Sequence, residues 1–205
     1  MRSSIVLAVL VAGYFLGSLP FSYWVGRLSG VDIRQAGSGN VGATNVLRTA
    51  GKRAGVVAFI LDVLKGATAS YVGGRLDASG TLAAVAAVGA VLGHVYPFWL
   101  RFRGGKGVAT GFGALAPLAP LATLIALAVF GLVLFTGRFV SVASITGAVA
   151  LAATAPLLGA PPAVCLAMAF VVILIVARHH TNIARLLRGE ENRLGRKAAA
   201  RGGKS

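Results

Sequence analysis

The sequence predicts an all-α integral membrane protein of seven transmembrane helices, some of them short, with the N-terminus outside and the C-terminus cytoplasmic. Three observations predict it. Hydrophobic residues make up 57% of the 205 residues and charged residues 12%, with a mean hydropathy of +0.82, which leaves too little polar surface to cover a water-soluble globule. The apolar residues fall in runs long enough to cross a bilayer, which takes roughly 20 residues per helix. Seven crossings also put 17 of the 20 Lys and Arg residues on one side, as retention of basic residues in short cytoplasmic loops requires.

The first helix is expected near 4–26, because Ile5 to Gly26 carries no charge. It resembles a secretion signal, but Leu19-Pro20-Phe21 offers no small-residue cleavage site, so it reads as a retained helix. The second and third are expected near 54–74 and 80–100, runs broken mainly by Asp62, Lys65 and His94. The stretch from Gly107 to Ala177 is too long for one span. Pro117, Pro120, Pro156, Pro161 and Pro162 divide it into helices near 107–117, 119–136, 139–158 and 161–178, the first of these short for a full crossing. If 107–136 were a single kinked span, the tail would end opposite the first two basic loops. Residues 1–190 therefore read as one polytopic membrane domain and 191–205 as a basic cytoplasmic tail, topogenic rather than a specific site.

The net charge of +15 lies almost wholly at the cytoplasmic face, where anionic headgroups or anionic substrates would meet it. No nucleic-acid module and no basic-aromatic alternation is present, so no nucleic-acid partner is expected. Cys165, the one cysteine, excludes an internal disulfide and reads as a small buried hydrophobe. No metal is expected, since neither H-x-x-E-H nor C-x-x-C spacing occurs.

Uncommon polar residues gather at the basic face. Gly37-Ser38-Gly39-Asn40-Val41-Gly42 matches the dinucleotide fingerprint G-x-G-x-x-G, but it follows a membrane helix rather than a strand, and that reading fails. What remains is anion-cradle chemistry: glycines that let backbone N–H groups converge, Ser38, Asn40, Thr44 and Asn45 as neutral hydrogen-bonding groups, and Arg48 as a fork for phosphate. Gly104-Gly105-Lys106-Gly107 opens a helix, where free N–H groups, the helix dipole and Lys106 all favour an anion, although the spacing is not that of a Walker A loop. At the start of the 139–158 helix, Ser141 and Ser144 either cap it or bind substrate, with capping favoured for Ser141. His179, Asn182 and Leu186 recur at helical spacing just past the last span, beside Arg185 and before Glu191. Arg178, Arg185 and Arg188 read as snorkelling interface residues. Asp62 and Lys65, at i and i+3, read as a structural pair or as support beneath the site, and His94 as a helix-helix hydrogen-bond partner. No G-x-S-x-G occurs, and no histidine has an acid five residues later, as an H-x-x-x-x-D site would require.

In combination, GSGNVGATNVLR, DVLKG, GHVYPFWLRFRGGKGVAT, RFVSVAS and RHHTNIARLLRGEE resemble the bacterial acyl-phosphate:glycerol-3-phosphate acyltransferases, the PlsY type, from about Gly17 to Glu191. The resemblance implies transfer of a fatty acyl group from acyl phosphate, and not from acyl-CoA or acyl carrier protein, to the 1-hydroxyl of glycerol 3-phosphate. The products would be lysophosphatidic acid and phosphate, made at the inner membrane without a cofactor. It implies Ser38, Arg48, Lys106 and Asn182 as glycerol-phosphate binders, with His179 and Ser144 near the reacting carbonyl or the donor phosphate. Asn40, Thr44, Asn45, Gly104, Gly105, Gly107, Ser141 and Glu191 complete the expected substrate-binding set, and Asp62, Lys65 and His94 its structural support. A small-anion transporter is the alternative class, disfavoured because transport sites gather near the midplane in repeated halves.

Overall fold

Prolines and glycines cut the apolar runs into helices. The structure, a computed structural model, describes residues 3–195. Its helices are α1 (Ser3–Ser18), α2 (Phe21–Leu28), α3 (Ala43–Thr49), α4 (Lys52–Leu76), α5 (Thr81–Val95), α6 (Val108–Leu115), α7 (Pro120–Gly137), α8 (Val140–Leu157), α9 (Pro162–Arg178) and α10 (His180–Leu187), with a 3-10 turn at Phe98–Leu100. No strand occurs among the described residues. Arg2 and the tail from 196 onward, counted above in the charge pattern, lie outside them.

Five segments are long and apolar enough to cross a membrane: Ser3–Leu28, Lys52–Leu76, Thr81–Leu100, Pro120–Gly137 and Val140–Leu157. Helices α9 and α10, bent by 51° at His179, make a sixth if taken together. With eight residues, α6 rises only about 12 Å and cannot cross alone. We propose seven crossings, the short one being α6 with its flanking turns. The expected first helix is broken at Leu19-Pro20 into α1 and α2, because Pro20 has no N–H to continue the ladder.

In lipid, apolar burial gives little drive for helices to associate, so close backbone approach has to supply the contact. Helix α1 lies against α5 along Gly13 and Gly17 on one side and Gly89 and Gly93 on the other. A β-carbon on Gly17 would stand 2.0 Å from the Ala90 carbonyl oxygen, and one on Gly93 2.0 Å from that of Tyr14. Further round the bundle, Val91, Leu115, Met168 and Val171 form a dry core joining α5, α6 and α9. Outward faces of α7 and α9 carry exposed Leu124, Leu132, Phe135, Leu166 and Ile173, as lipid contact requires.

Inside this bundle sits one buried carboxylate. Asp62 accepts a hydrogen bond of 2.6 Å from the Ser22 hydroxyl of α2 and pairs at 2.9 Å with Lys65 one turn along α4. Lys65 Nζ also donates to the Leu19 carbonyl, 2.9 Å away, one of the acceptors left open where α1 breaks. His94 Nδ1 of α5 lies 3.6 Å from Asp62 and 3.0 Å from the Thr110 hydroxyl of α6. The pair thus ties together the α1–α2 break, α4, α5 and α6.

Orientation is tested by labelling single cysteines at Ser3 and Arg103, both exposed, in a Cys165→Ala background. Gly104 is unsuitable, because a side chain there would meet the His94 carbonyl oxygen at 2.1 Å. Seven crossings predict labelling from opposite sides of sealed cells, and same-side labelling contradicts them.

Candidate active site

A cavity of about 140 Å³ lies where the basic loops converge on the ends of α6, α8 and α9. From the sequence-expected set, Ser38, Asn40, Thr44, Asn45, Arg48, Lys106, Gly107, Ser141, Ser144, His179, Asn182 and Glu191 line it, together with Asp62 and His94 at its floor. Gly104, Gly105 and Lys65 do not.

The first loop owes its shape to Asn45, which is fully buried. Its amide donates to the Ile33 and Ala36 carbonyls at 2.8 and 3.0 Å and accepts from the Ser38 N–H at 3.0 Å. Most of its hydrogen-bonding capacity therefore goes to holding Ser38 and the chain beside it, while Ser38 and Thr44 remain exposed. Arg48, on the last turn of α3, is exposed and lines the cavity without an ion pair among the described residues.

The second loop differs from expectation in one respect. The Gly104 and Gly105 N–H groups donate to the Val95 and His94 carbonyls at 3.1 Å, satisfying the frayed end of α5 and leaving neither free for a ligand. The open donors are those of the first turn of α6, which begins after Gly107 at φ 84°, a left-handed conformation suited to glycine. Lys106 Nζ points across to the Asn182 side-chain oxygen and donates to it. Burial lowers its pKa to about 8, opposed by Glu191 and reinforced by the cations Arg185, Arg48 and Arg178. A dianion in the cavity would reverse that shift.

Glu191 organises the far wall. It accepts from Ser141 at 2.9 Å, from the Asn182 amide at 2.6 Å and from Arg185 Nε at 2.7 Å. Burial would raise its pKa, but these bonds hold it below the usual carboxylate range. Ser141 was expected to cap α8; it makes no cap bond, because its hydroxyl reaches Glu191 fifty residues away instead. By holding the Asn182 NH₂ group, Glu191 turns the amide oxygen toward Lys106. Arg185, expected only to snorkel, is part of this wall; its position one turn beyond Asn182 was the available signal. Phe59, Phe130 and Asn192 also line the cavity and carried no such signal.

The bend after α9 delivers His179, which is buried. Its Nδ1 lies 2.8 Å from the Ile175 carbonyl, which can only accept, so Nδ1 holds the proton and Nε2 is left as an acceptor. Ser144 donates to the Val140 carbonyl at 2.7 Å, leaving its oxygen lone pairs for the cavity. Ser144, Phe59, Val108, Ala109 and Phe130 also border a second, apolar cavity of about 120 Å³, which runs between α6, α7, α8 and α9 past Phe112, Leu115, Leu127, Leu151 and Val171. Among the described residues no three of His, Cys, Asp and Glu come together as a metal site. A cationic chamber therefore abuts an apolar groove along one shared wall.

Comparison with known proteins bears on this arrangement. The family model described as glycerol-3-phosphate acyltransferase matches residues 7–189. A glycerol-3-phosphate acyltransferase of Syntrophotalea carbinolica is 44% identical over 187 residues, covering 90% of this chain and 95% of the relative. Crystal structures of PlsY (YgiH), an integral membrane glycerol 3-phosphate acyltransferase, superpose with TM-scores of 0.89 for its glycerol 3-phosphate form and 0.87 for its lysophosphatidic acid form. Identity is 38% in both cases; 93% of this chain is covered, against 96% and 95% of those chains. The chain belongs to the glycerol-3-phosphate acyltransferase family of integral membrane proteins.

Proposed function

We propose that the protein transfers a fatty acyl group from acyl phosphate to the 1-hydroxyl of glycerol 3-phosphate at the cytoplasmic face of the bacterial inner membrane. The products are lysophosphatidic acid and inorganic phosphate, and the reaction feeds phospholipid synthesis. The observation that carries this reading is the shared wall at Ser144, where the cationic chamber meets the apolar groove. An acyl phosphate has one charged end and one apolar end, and only at such a junction can both be satisfied. The acceptor, small and dianionic, fits the chamber alone.

In the chamber, Arg48 and Lys106 hold the glycerol phosphate, with Asn182 fixing the Lys106 ammonium and Ser38 adding a hydrogen bond. The acyl chain lies along the groove, which brings its carbonyl to Ser144 and His179. The acceptor hydroxyl oxygen attacks this carbonyl carbon, a new C–O bond forms, and the bond from the carbonyl carbon to the phosphate oxygen breaks. The hydroxyl proton passes to a phosphate oxygen or to His179 Nε2. The N–H groups of the first turn of α6 and the Lys106 charge stabilise the developing anion. Among the described residues no serine or cysteine is paired with a histidine, and the two serines that meet a carboxylate lining the chamber, Ser22 and Ser141, meet ones already paired with Lys65 and Arg185.

With acyl phosphate as donor, purified protein should release phosphate on addition of glycerol 3-phosphate. Acyl-CoA should give no product. Arg48→Ala and Lys106→Ala each remove a charged partner of the phosphate. At the partly buried Lys106 the loss should be about 2–5 kcal/mol, a fall in kcat/KM for glycerol 3-phosphate of roughly 30-fold to several thousand-fold. At the exposed Arg48 it should lie at or below the lower end of that range. Arg101→Ala, on an outlying turn, should stay within about threefold; an equal loss there would mean a general surface-charge effect.

Because the Lys106 pKa is about 8, its charge is present below that pH and lost above it. Measured as a profile, kcat/KM for glycerol 3-phosphate should fall as pH rises through about 8, with the fall moved to higher pH in Lys106→Arg. A flat profile from pH 7 to 10 contradicts the assignment.

A further inference from the structure

A third cavity, of about 280 Å³, lies outside the chamber, between the Phe102–Lys106 turn and the junction of α9 with α10. It shares Ser38, Asn40, Lys106 and Arg185 with the chamber, so the two are contiguous. Its own charged and titratable side chains are Arg103, Arg178 and His180, and no carboxylate lines it among the described residues. None of the reaction steps above uses these three.

Arg178 is the informative one. Its guanidinium carbon lies 5.7 Å from the Tyr96 ring centroid, within reach of a cation–π attraction that favours this placement. Its Nε–H is buried and has no hydrogen-bond partner among the described residues. The rest of the side chain is half-exposed and borders the cavity, so the terminal nitrogens of the guanidinium are the donors available to a ligand there. Arg103, on the opposite side of the same cavity, is exposed and makes no ion pair among the described residues. Two guanidinium groups facing one polar cavity suit a tetrahedral oxyanion, which accepts from both forks.

We propose that this outer cavity is a second phosphate site, in which Arg178 and Arg103 hold a phosphate group next to, and outside, the one bound by Arg48 and Lys106. The identity of its ligand rests on the reaction proposed above. Each turnover brings in one phosphate monoester and sends out one inorganic phosphate, and both have to enter or leave the chamber. Lys106 and Arg185, common to both cavities, let the anion move between them without losing a cationic partner. The acyl groove occupies the other wall, so a lipid bound there does not block this route.

Equilibrium dialysis of labelled inorganic phosphate against the full-length protein in lipid nanodiscs tests the site without any acyl donor, so an error in the proposed donor would leave the result interpretable. Arg178→Gln is expected to bind one phosphate fewer per chain than the unaltered protein, whose chamber already has places for the acceptor and donor phosphates. Equal stoichiometry in the two proteins overturns the proposal. Loss of the Tyr96 contact could unsettle Arg178→Gln, so Arg103→Gln, at an exposed position, is the second variant. It should weaken the outer site at least threefold, and unchanged affinity overturns the proposal as well. Steady-state rates distinguish the two sources of ligand. A site for incoming substrate predicts that Arg178→Gln raises KM for glycerol 3-phosphate about 5- to 20-fold with kcat unchanged. A site for outgoing product predicts weaker inhibition by added phosphate with KM unchanged, and no change in either quantity contradicts both.

Discussion

The pairing of Asp62 with Lys65 is the constraint on which the rest of the structure depends. A lone carboxylate in a helix bundle surrounded by lipid is untenable, and removing one partner of a buried pair typically costs about 3–5 kcal/mol. Here the pair has further partners. Ser22 and the Leu19 carbonyl bring in α2 and the end of α1, and His94 brings in α5 and, through Thr110, α6. The broken first helix is therefore held open by the same side chains that set where α6 starts. Because the His94 and Val95 carbonyls anchor Gly104 and Gly105, the loop carrying Lys106 is positioned from beneath by this network. A charged pair at and beneath the floor of the cavity thus governs the geometry of the phosphate-binding end.

From that base, polarity is arranged in sequence along the bundle. Arg48, Lys106 and Arg185 make the chamber cationic, and Glu191 prevents the cluster from being purely repulsive by joining Ser141, Asn182 and Arg185. Lys106, partly deprived of water, stays charged at neutral pH but gives up its proton more readily than a free lysine, a shift that an incoming dianion would oppose. At Ser144 the surroundings turn apolar within one residue's width, where the groove begins. A substrate with a phosphate head and a hydrocarbon tail is placed by these two media without many specific contacts. Proximity and orientation then replace covalent catalysis.

Much of this was legible in the sequence, for identifiable reasons. Apolar runs and prolines located α4, α7, α8 and α9 within a few residues, because lipid forces every spanning segment to be long and self-satisfied. Pro20 was a visible signal for the break at Leu19-Pro20, but the contact that steadies it was not, since Lys65 donates to the Leu19 carbonyl from 46 residues away. Ser38, Arg48, Lys106, His179 and Asn182 could be selected as polar residues crowded at one face, and the fold brings all five to one cavity. The roles of neighbours were harder to see. Asn45 looked like a ligand-binding amide but spends its donors on Ile33 and Ala36, while Ser141 looked like a cap but reaches Glu191. Such long-range pairings leave no local pattern. Arg178 shows the same limit, because a snorkelling and a half-buried arginine look alike in the sequence until the Tyr96 ring is found beside it.

The account's central claim is that donor and acceptor meet in one ternary complex and the acyl group passes directly between them. Initial rates measured while both acyl phosphate and glycerol 3-phosphate are varied test this most directly. Direct transfer predicts double-reciprocal lines that intersect, and no phosphate burst when acyl phosphate is supplied alone. Parallel lines, with a stoichiometric phosphate burst and an acylated protein in the absence of glycerol 3-phosphate, would contradict it.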